Sequence, residues 1–174
     1  TQREIPIGEA DMIISKTDPS GRITYANRTF MRISNFAERD LLGMPHNIVR
    51  HPDMPRGAYQ LMWDTLNTGE EFFALVKNMT AEGHFYWVFA NVTADLDSNE
   101  RLKGFFSVRR QAPKSAIREI TTIYEQMLRV EQQAGPGNAP KASASWLLDH
   151  LRAQDTTYEH FVLGLYHAGT GGQR

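Results

Sequence analysis

Between Pro45 and Pro55 the chain reads Pro-His-Asn-Ile-Val-Arg-His-Pro-Asp-Met-Pro, which sets two histidines, an arginine, an aspartate and an asparagine among three prolines. Arg50 and His51 can donate to ring carbonyls or to a pyrophosphate, and Asp53 can orient either of them. Proline lacks the backbone N–H and disfavours helix in the residue before it, so one uninterrupted helix is not available here. The pattern predicts short helical turns broken by loops, which hold the polar side chains in fixed directions. A preorganised donor set of that kind suits the polar head group of a ligand. A plainer role is open to the same residues, with Asp53 and Arg50 capping a turn or pairing with each other.

Other candidates lie further along the chain. Asn78 falls on a strand in Val76-Lys77-Asn78, and a buried asparagine needs partners that either a ligand or strand backbone can supply. Trp63 recurs at helical spacing with Tyr59, Met62 and Leu66, which suits a core contact and a cavity wall alike. Tyr86 and Trp87 project to opposite faces of a strand. Asn27, at a strand-to-helix junction, is a helix N-cap first and a pocket residue second. His46 and His51 also admit haem ligation through a single histidine, whereas His150, His160 and His167 are too sparse for a metal cluster. No Gly-rich phosphate loop, nucleophile elbow or metalloprotease pair is present. The expectation is a chain that is not an enzyme.

Composition narrows the classes further. None of the 174 residues is cysteine, which rules out disulfides, thiolate metal sites and Cys nucleophiles within the chain. A net charge of −1 and a single adjacent basic pair, Arg109-Arg110, argue against nucleic acid and anionic membrane surfaces as partners. A hydrophobic content of 41% suffices for one core. No apolar run approaches the ~20 residues of a membrane span, and the polar start is not a secretory signal. A cytoplasmic location is expected.

The elements that must position these residues can be read from spacing. Met12 to Thr17 is a strand, Asp18-Pro19-Ser20-Gly21 a tight turn, and Ile23 to Ala26 completes a hairpin. Phe30, Ile33 and Phe36 share one face of a short helix, and Glu38 to Leu42 makes another turn. A helix from Gly57 to Asn67 follows the proline-rich run and stops at Thr68-Gly69. Strands Phe72 to Met79, Phe85 to Ala94 and Leu102 to Arg110 come next. Strands, then short helices, then strands predict an α+β layer with one antiparallel sheet. From Ser115 to Gln133, Ile117, Ile120, Ile123, Met127 and Val130 form the stripe of an amphipathic helix. Gly135 to Ser145 reads as a flexible linker by composition. Trp146 to Tyr166 resumes helical spacing, and Gly169 to Arg174 reads as a disordered tail. The expected division is an N-terminal segment 1–11, a main domain 12–113, the amphipathic helix 114–133, the linker 134–145, and a C-terminal helix with tail, 146–174.

Three stretches together carry a family likeness: Asp18-Pro-Ser-Gly-Arg-Ile-Thr-Tyr-Ala-Asn-Arg-Thr-Phe30, the run Pro45 to Pro55, and Lys77-Asn78 to Trp87. Over about residues 12–113 the chain resembles the PAS sensor domain of the Aer-type energy-taxis receptors. The first stretch is common to many PAS domains. The Pro45 to Pro55 run is narrower and points to the branch whose best-known members hold FAD. The resemblance implies a PAS fold, with an antiparallel five-stranded sheet, short helices on one face and, here, C-terminal flanking helices.

It also implies a non-covalently bound FAD with its ring between sheet and helical layer. On that likeness Arg50, His51 and Asp53 hold the flavin, Asn78 reaches the ring edge, and Trp63 and Asn27 line the cavity. One position departs from the family, because the tryptophan that follows Gly-Glu there is replaced by Phe72 in Gly69-Glu70-Glu71-Phe72-Phe73. Phenylalanine still stacks, with less area and no N–H donor. The lack of cysteine excludes the flavin–cysteinyl photochemistry of light-sensing relatives. The implied function is a cytoplasmic redox or energy sensor that signals to a chemoreceptor or histidine-kinase output domain. The stripe on residues 115–133 is expected to pair with a second copy, giving a homodimer. The Aer-type receptors continue into a membrane anchor and a signalling domain, so an excised module or a free-standing sensor is expected. Two rivals stand beside this reading: a ligand-free PAS interaction and dimerisation module, and a haem-binding gas sensor.

Overall fold

The computed structural model describes residues 2–171. In chain order these form β1 (Ile13–Thr17), β2 (Ile23–Ala26), α1 (Arg28–Ser34), α2 (Glu38–Leu41), a 3-10 turn (His46–Val49), α3 (Arg56–Asn67), β3 (Phe72–Met79), β4 (Phe85–Leu96), β5 (Leu102–Gln111), α4 (Lys114–Ala134), α5 (Ala139–Arg152) and α6 (Tyr158–Thr170). The five strands make one antiparallel sheet in the order β2-β1-β5-β4-β3. The expected α+β architecture, with short helices on one face and flanking helices behind it, is the one observed.

Local chemistry explains the hairpin and the first helix. The Asp18 carboxylate accepts from the backbone N–H groups of Ser20 (2.9 Å) and Arg22 (3.0 Å), and Gly21 supplies the positive φ of 87° that closes the turn. Asn27 caps α1 through its side-chain oxygen, which accepts from the Phe30 N–H at 3.0 Å. Where three prolines were expected to break the chain, a single 3-10 turn lies between loops, and α3 begins directly after Pro55.

Register sorts the strand residues onto two faces. Ser15 pairs with Ser107 and Ala90 with Arg109, so Ile13, Ser15, Thr17, Phe105, Ser107, Arg109, Ala90, Val92, Val76 and Asn78 share the inner face. The outer face carries Trp87 and Phe89, which stack on Tyr124 of α4 and Tyr166 of α6 respectively. One buried cluster lies under α1 and α2 around Phe30, Ile23 and Leu41. The other joins α3 and β3 to α4, α5 and α6.

The C-terminal third departs from its expected form in three ways. Residues 139–145, expected within a flexible linker, open α5. Pro140 sits in its first turn, where a missing N–H costs nothing. The small residues there serve close packing: Ala139, Ser143 and Ala144 are buried against α3, and a Cβ on Gly57 would meet the Ser143 hydroxyl oxygen at 2.0 Å. The expected helix from Trp146 to Tyr166 is two helices, broken where Asp155 takes a left-handed φ of 58° and Thr157 caps α6 by accepting from the His160 N–H. Of the expected disordered tail, Gly169 and Thr170 end α6, while residues 172–174 lie outside the described residues.

The helix over 114–133 is present as α4; its buried residues Ala116, Ile120, Tyr124, Met127 and Glu131 share Ile120 and Met127 with the expected stripe, but the line is turned toward Ala116 and Tyr124. Tyr124 sets that rotation. Its hydroxyl donates to the Leu75 carbonyl on the β3 edge at 2.6 Å and lies 3.0 Å from the Tyr158 hydroxyl. Ile120 and Met127 of the stripe are thus buried within the chain, while Ile117 and Ile123 are only partly buried against the same cluster. The closeness of α3 and α5 has a testable consequence. Gly57→Ala should lower the unfolding free energy by about 1–3 kcal/mol, the usual cost of overpacking, in urea denaturation followed by circular dichroism. An unchanged midpoint would mean that α5 is not held at this distance.

Candidate ligand cavity

A cavity of about 330 Å³ opens between the inner face of the sheet and the helical layer, within the size range of small-molecule sites. Tyr59, Met62, Trp63 and Leu66 of α3 form one wall, and Val76, Asn78, Ala90, Val92, Phe105, Ser107 and Arg109 of the sheet form the other. The hairpin at Ser20-Gly21 and the stretch from Pro45 to Arg50 frame its mouth. Trp63 meets Phe105 edge to face at 5.2 Å between centroids, which fixes both aromatic planes.

The structure divides the Pro45 to Pro55 run between two destinations. Arg50 belongs to the cavity, with its guanidinium over the Tyr59 ring at 3.9 Å and its backbone paired to Asn78 in an isolated antiparallel bridge. His51 is buried but turns away, its Nδ1 accepting from the Asp53 N–H at 3.0 Å and its edge against Phe85. Burial lowers its pKa, Lys77 lowers it further and Asp53 opposes. Asp53 points outward to Lys77, whose Nζ donates to it at 2.7 Å, and that hydrogen bond pulls its pKa below the usual carboxylate range. His51 and Asp53 therefore brace the loop that presents Arg50 and do not line the cavity.

The other expected site residues divide in the same way. Trp63 and Asn78 face the cavity. Asn27 does not, because both ends of its side chain are engaged: Oδ1 accepts from the Ile14 and Phe30 N–H groups, and Nδ2 donates to the Met12 carbonyl at 2.8 Å. Phe72, expected to stack on a ring ligand, instead stacks on Tyr158 of α6 at 5.6 Å. It stands at the start of β3, where the C-terminal helices wrap the sheet edge. That α6 would claim it could not be read from Phe72 and its neighbours.

Sequence reasoning missed the polar inner end. Arg109 is buried and projects inward from β5, the middle strand, while its neighbour Arg110 is exposed on the other face. One guanidinium N–H donates to the Ser15 hydroxyl at 2.6 Å, and the Ser15 hydroxyl also lies 2.9 Å from His46 Nε2. Burial, and Arg109 after it, push the His46 pKa down to about 3, so its ring is neutral. The buried Tyr86 hydroxyl lies beside Asn78 and Arg109, and burial raises its pKa to about 12. A signal for this end was available, since Phe105, Ser107 and Arg109 alternate, and an arginine at inward parity on an apolar strand needs a partner. Among the described residues, no group of three or more His, Asp or Glu side chains is placed to hold a metal ion.

A description of the PAS fold matches residues 23–109, half of the chain. The chain belongs to the PAS family. Over 125 residues this PAS domain is 38% identical to the aerotaxis receptor of Escherichia coli, covering 72% of this chain and 24% of the receptor. It is 28% identical to a nitrogen fixation regulatory protein of Klebsiella pneumoniae over 70% of this chain and 26% of that protein. The biofilm dispersion protein BdlA of Pseudomonas aeruginosa is 31% identical over 49% of this chain and 21% of that protein. The PAS chain thus spans about a quarter of the length of these curated relatives. Among solved structures, a light-oxygen-voltage domain superposes with a TM-score of 0.56 at 19% identity, covering 66% of this chain and 86% of that one. The light state of Aureochrome1 LOV gives 0.55 at 15% identity, over 70% and 93%. These likenesses establish the fold. No helix among the described residues is long and apolar enough to cross a membrane.

Proposed function

We propose that this PAS domain binds FAD non-covalently and reports redox or energy state, in the cytoplasm, to a chemoreceptor or histidine-kinase output domain, without catalysing a reaction of its own. One observation carries the reading: the cavity joins flat aromatic walls to convergent donors, Arg50, Asn78 and Arg109, in a chain 38% identical to an aerotaxis receptor. The residues fit the group. Trp63, Phe105 and Tyr59 offer ring faces, and two buried N–H groups of Arg109 lack partners among the described residues. When bound, a flavin supplies one- and two-electron chemistry. The chain's own residues bind it, orient it and exclude water. We assign contacts to Arg50, Trp63 and Asn78, and assign His51 and Asp53 the task of holding the loop that presents Arg50.

A route outward exists in covalent and hydrogen-bonded terms. α3, which walls the cavity, rests its N-terminus on Glu131 of α4, and the β3 edge rests on Tyr124 of the same helix. A change in α3 or β3 on reduction of the ligand would therefore bias the position of α4. This reading does not require a homodimer.

The absorption spectrum of the purified protein tests the proposal. A two-banded visible flavin spectrum, with FAD released on denaturation, is expected. A Soret band would replace flavin by haem, and colourless protein that takes up no FAD would leave an interaction module. Asn78→Ala should weaken FAD about tenfold, the equivalent of one lost buried hydrogen bond, in fluorescence titration. Equal affinity would remove Asn78 from the site.

A further inference from the structure

Arg109 poses a question of charge. Its side chain is 3% exposed and lies in the cavity wall, yet its Nε and one terminal nitrogen have no hydrogen-bond partner. A single N–H reaches the Ser15 hydroxyl, and the guanidinium lies 4.5 Å from the centroid of the Phe30 ring. Neither group carries charge. The cavity lining contains Arg50 and Arg109 but no aspartate or glutamate, and His46, the third basic group at this end, is held neutral against Ser15. Arg50 is already engaged by the Tyr59 ring. A buried cation normally has its counter-charge beside it, because an unpaired one is costly to desolvate. Arg109 has none in the cavity lining or among its contacts in the described residues.

We infer that Arg109 anchors the bound ligand by charge, so that the cavity selects a planar ring bearing negative charge or acceptor atoms on the edge that faces β5. The two unpartnered donors, Nε and Nη1, leave the guanidinium in different directions, so they suit separate acceptor atoms around a charged or acceptor-bearing edge. On the flavin reading, on which this inference partly rests, the edge is the pyrimidine side of the isoalloxazine ring, where carbonyl oxygens and a ring nitrogen lie together. The inference also reaches past that reading, because a neutral ring without acceptors would leave the same cation unpaired.

Two fluorescent probes of nearly equal size, anilinonaphthalene sulfonate and the uncharged N-phenylnaphthylamine, test charge selection in the full chain without flavin. The wild type should bind the sulfonate at least tenfold more tightly than the neutral amine. Arg109→Met should bring that ratio close to one, and Arg109→Lys, which keeps the charge but loses the planar guanidinium, should retain part of it. Thermal melting adds a reading that a merely structural residue would not give. Ligand-free Arg109→Met should melt higher than ligand-free wild type, because the uncompensated cation is gone, while its gain in Tm with saturating FAD should shrink.

An unchanged probe ratio in Arg109→Met overturns the inference, as does a methionine variant that melts lower than wild type or fails to fold. If wild type takes up no FAD but keeps its charge selectivity, the flavin reading fails and the Arg109 assignment stands. If FAD binds wild type and Arg109→Met equally, the reverse holds.

Discussion

Replacing Glu131 by alanine should lower the unfolding free energy by about 3 kcal/mol or more, the combined cost of a lost helix cap and of buried donors left unpaired. Glu131 lies on α4 and is only 8% exposed. Its carboxylate accepts from the Arg56 N–H at 3.0 Å and the Gly57 N–H at 3.2 Å, the first free donors of α3, and from the Ser143 hydroxyl of α5 at 2.6 Å. Pro55 precedes α3 and offers no side chain to cap it, so the cap comes from a helix 75 positions further along the chain. A negative charge at a helix N-terminus also opposes the positive end of the helix dipole.

Three helices thus meet at one carboxylate, and alanine would strand all three donors in a buried seam. Ser143→Ala alone should cost about 1 kcal/mol, and the double variant should show a coupling of about 0.5–3 kcal/mol, since the two residues share a partnership. Urea unfolding of the four proteins measures the cycle. A Glu131→Ala midpoint equal to wild type would mean that α3 is capped by water and that its contact with α4 is incidental.

The PAS half of the molecule was legible because its signals are local. Asp18 to Gly21 is a turn with a side-chain mechanism, Asn27 is a cap, and the strands announce themselves by alternation. Helical spacing placed Trp63 on the face that meets the sheet, whereas alternation left the face of Asn78 open and only the strand register turns it inward. The C-terminal third was misread where composition has two meanings. Ala, Ser and Gly between 135 and 145 read as flexibility, whereas Ser143 and Ala144 are small so that α5 can press against Gly57. His51 and Asp53 were drawn toward the ligand by their place in a polar run. Only the fold shows that successive side chains of an irregular loop leave in different directions, Arg50 inward and Asp53 out to Lys77. The surroundings of Phe72 and the rotation of α4 were hidden for a related reason, since each depends on how the C-terminal helices wrap the sheet edge. That docking rests on Tyr124 reaching the carbonyl of Leu75, 49 positions away.

Acid should destabilise the protein before its carboxylates are protonated, and His46 should account for much of that loss. Its folded pKa lies near 3, against an ordinary value of 6.5, with burial the main cause and Arg109 the second. Between those two values the unfolded chain binds a proton that the folded chain refuses, so stability falls as pH drops through that window and is fully retained above it. The full difference would exceed 4 kcal/mol at about 1.4 kcal/mol per pH unit. The ring keeps some exposure toward the cavity mouth, and a realistic loss between about pH 7 and pH 4 is roughly 2–3 kcal/mol. His51, also lowered by burial, adds in the same direction over its own range. Asp53, held low by Lys77, adds its share only as pH falls toward the ordinary carboxylate range. His46→Gln keeps an acceptor for the Ser15 hydroxyl and cannot charge, so its stability should fall less steeply over the same window. Urea unfolding at a series of pH values gives both curves. Their convergence toward acid, with the variant losing at least 1 kcal/mol less, is the expected result, on the order of a single buried titration. Parallel curves would show that His46 takes up its proton without opposition, and with that the claim of an electropositive, acid-free cavity floor around Arg109 would fall.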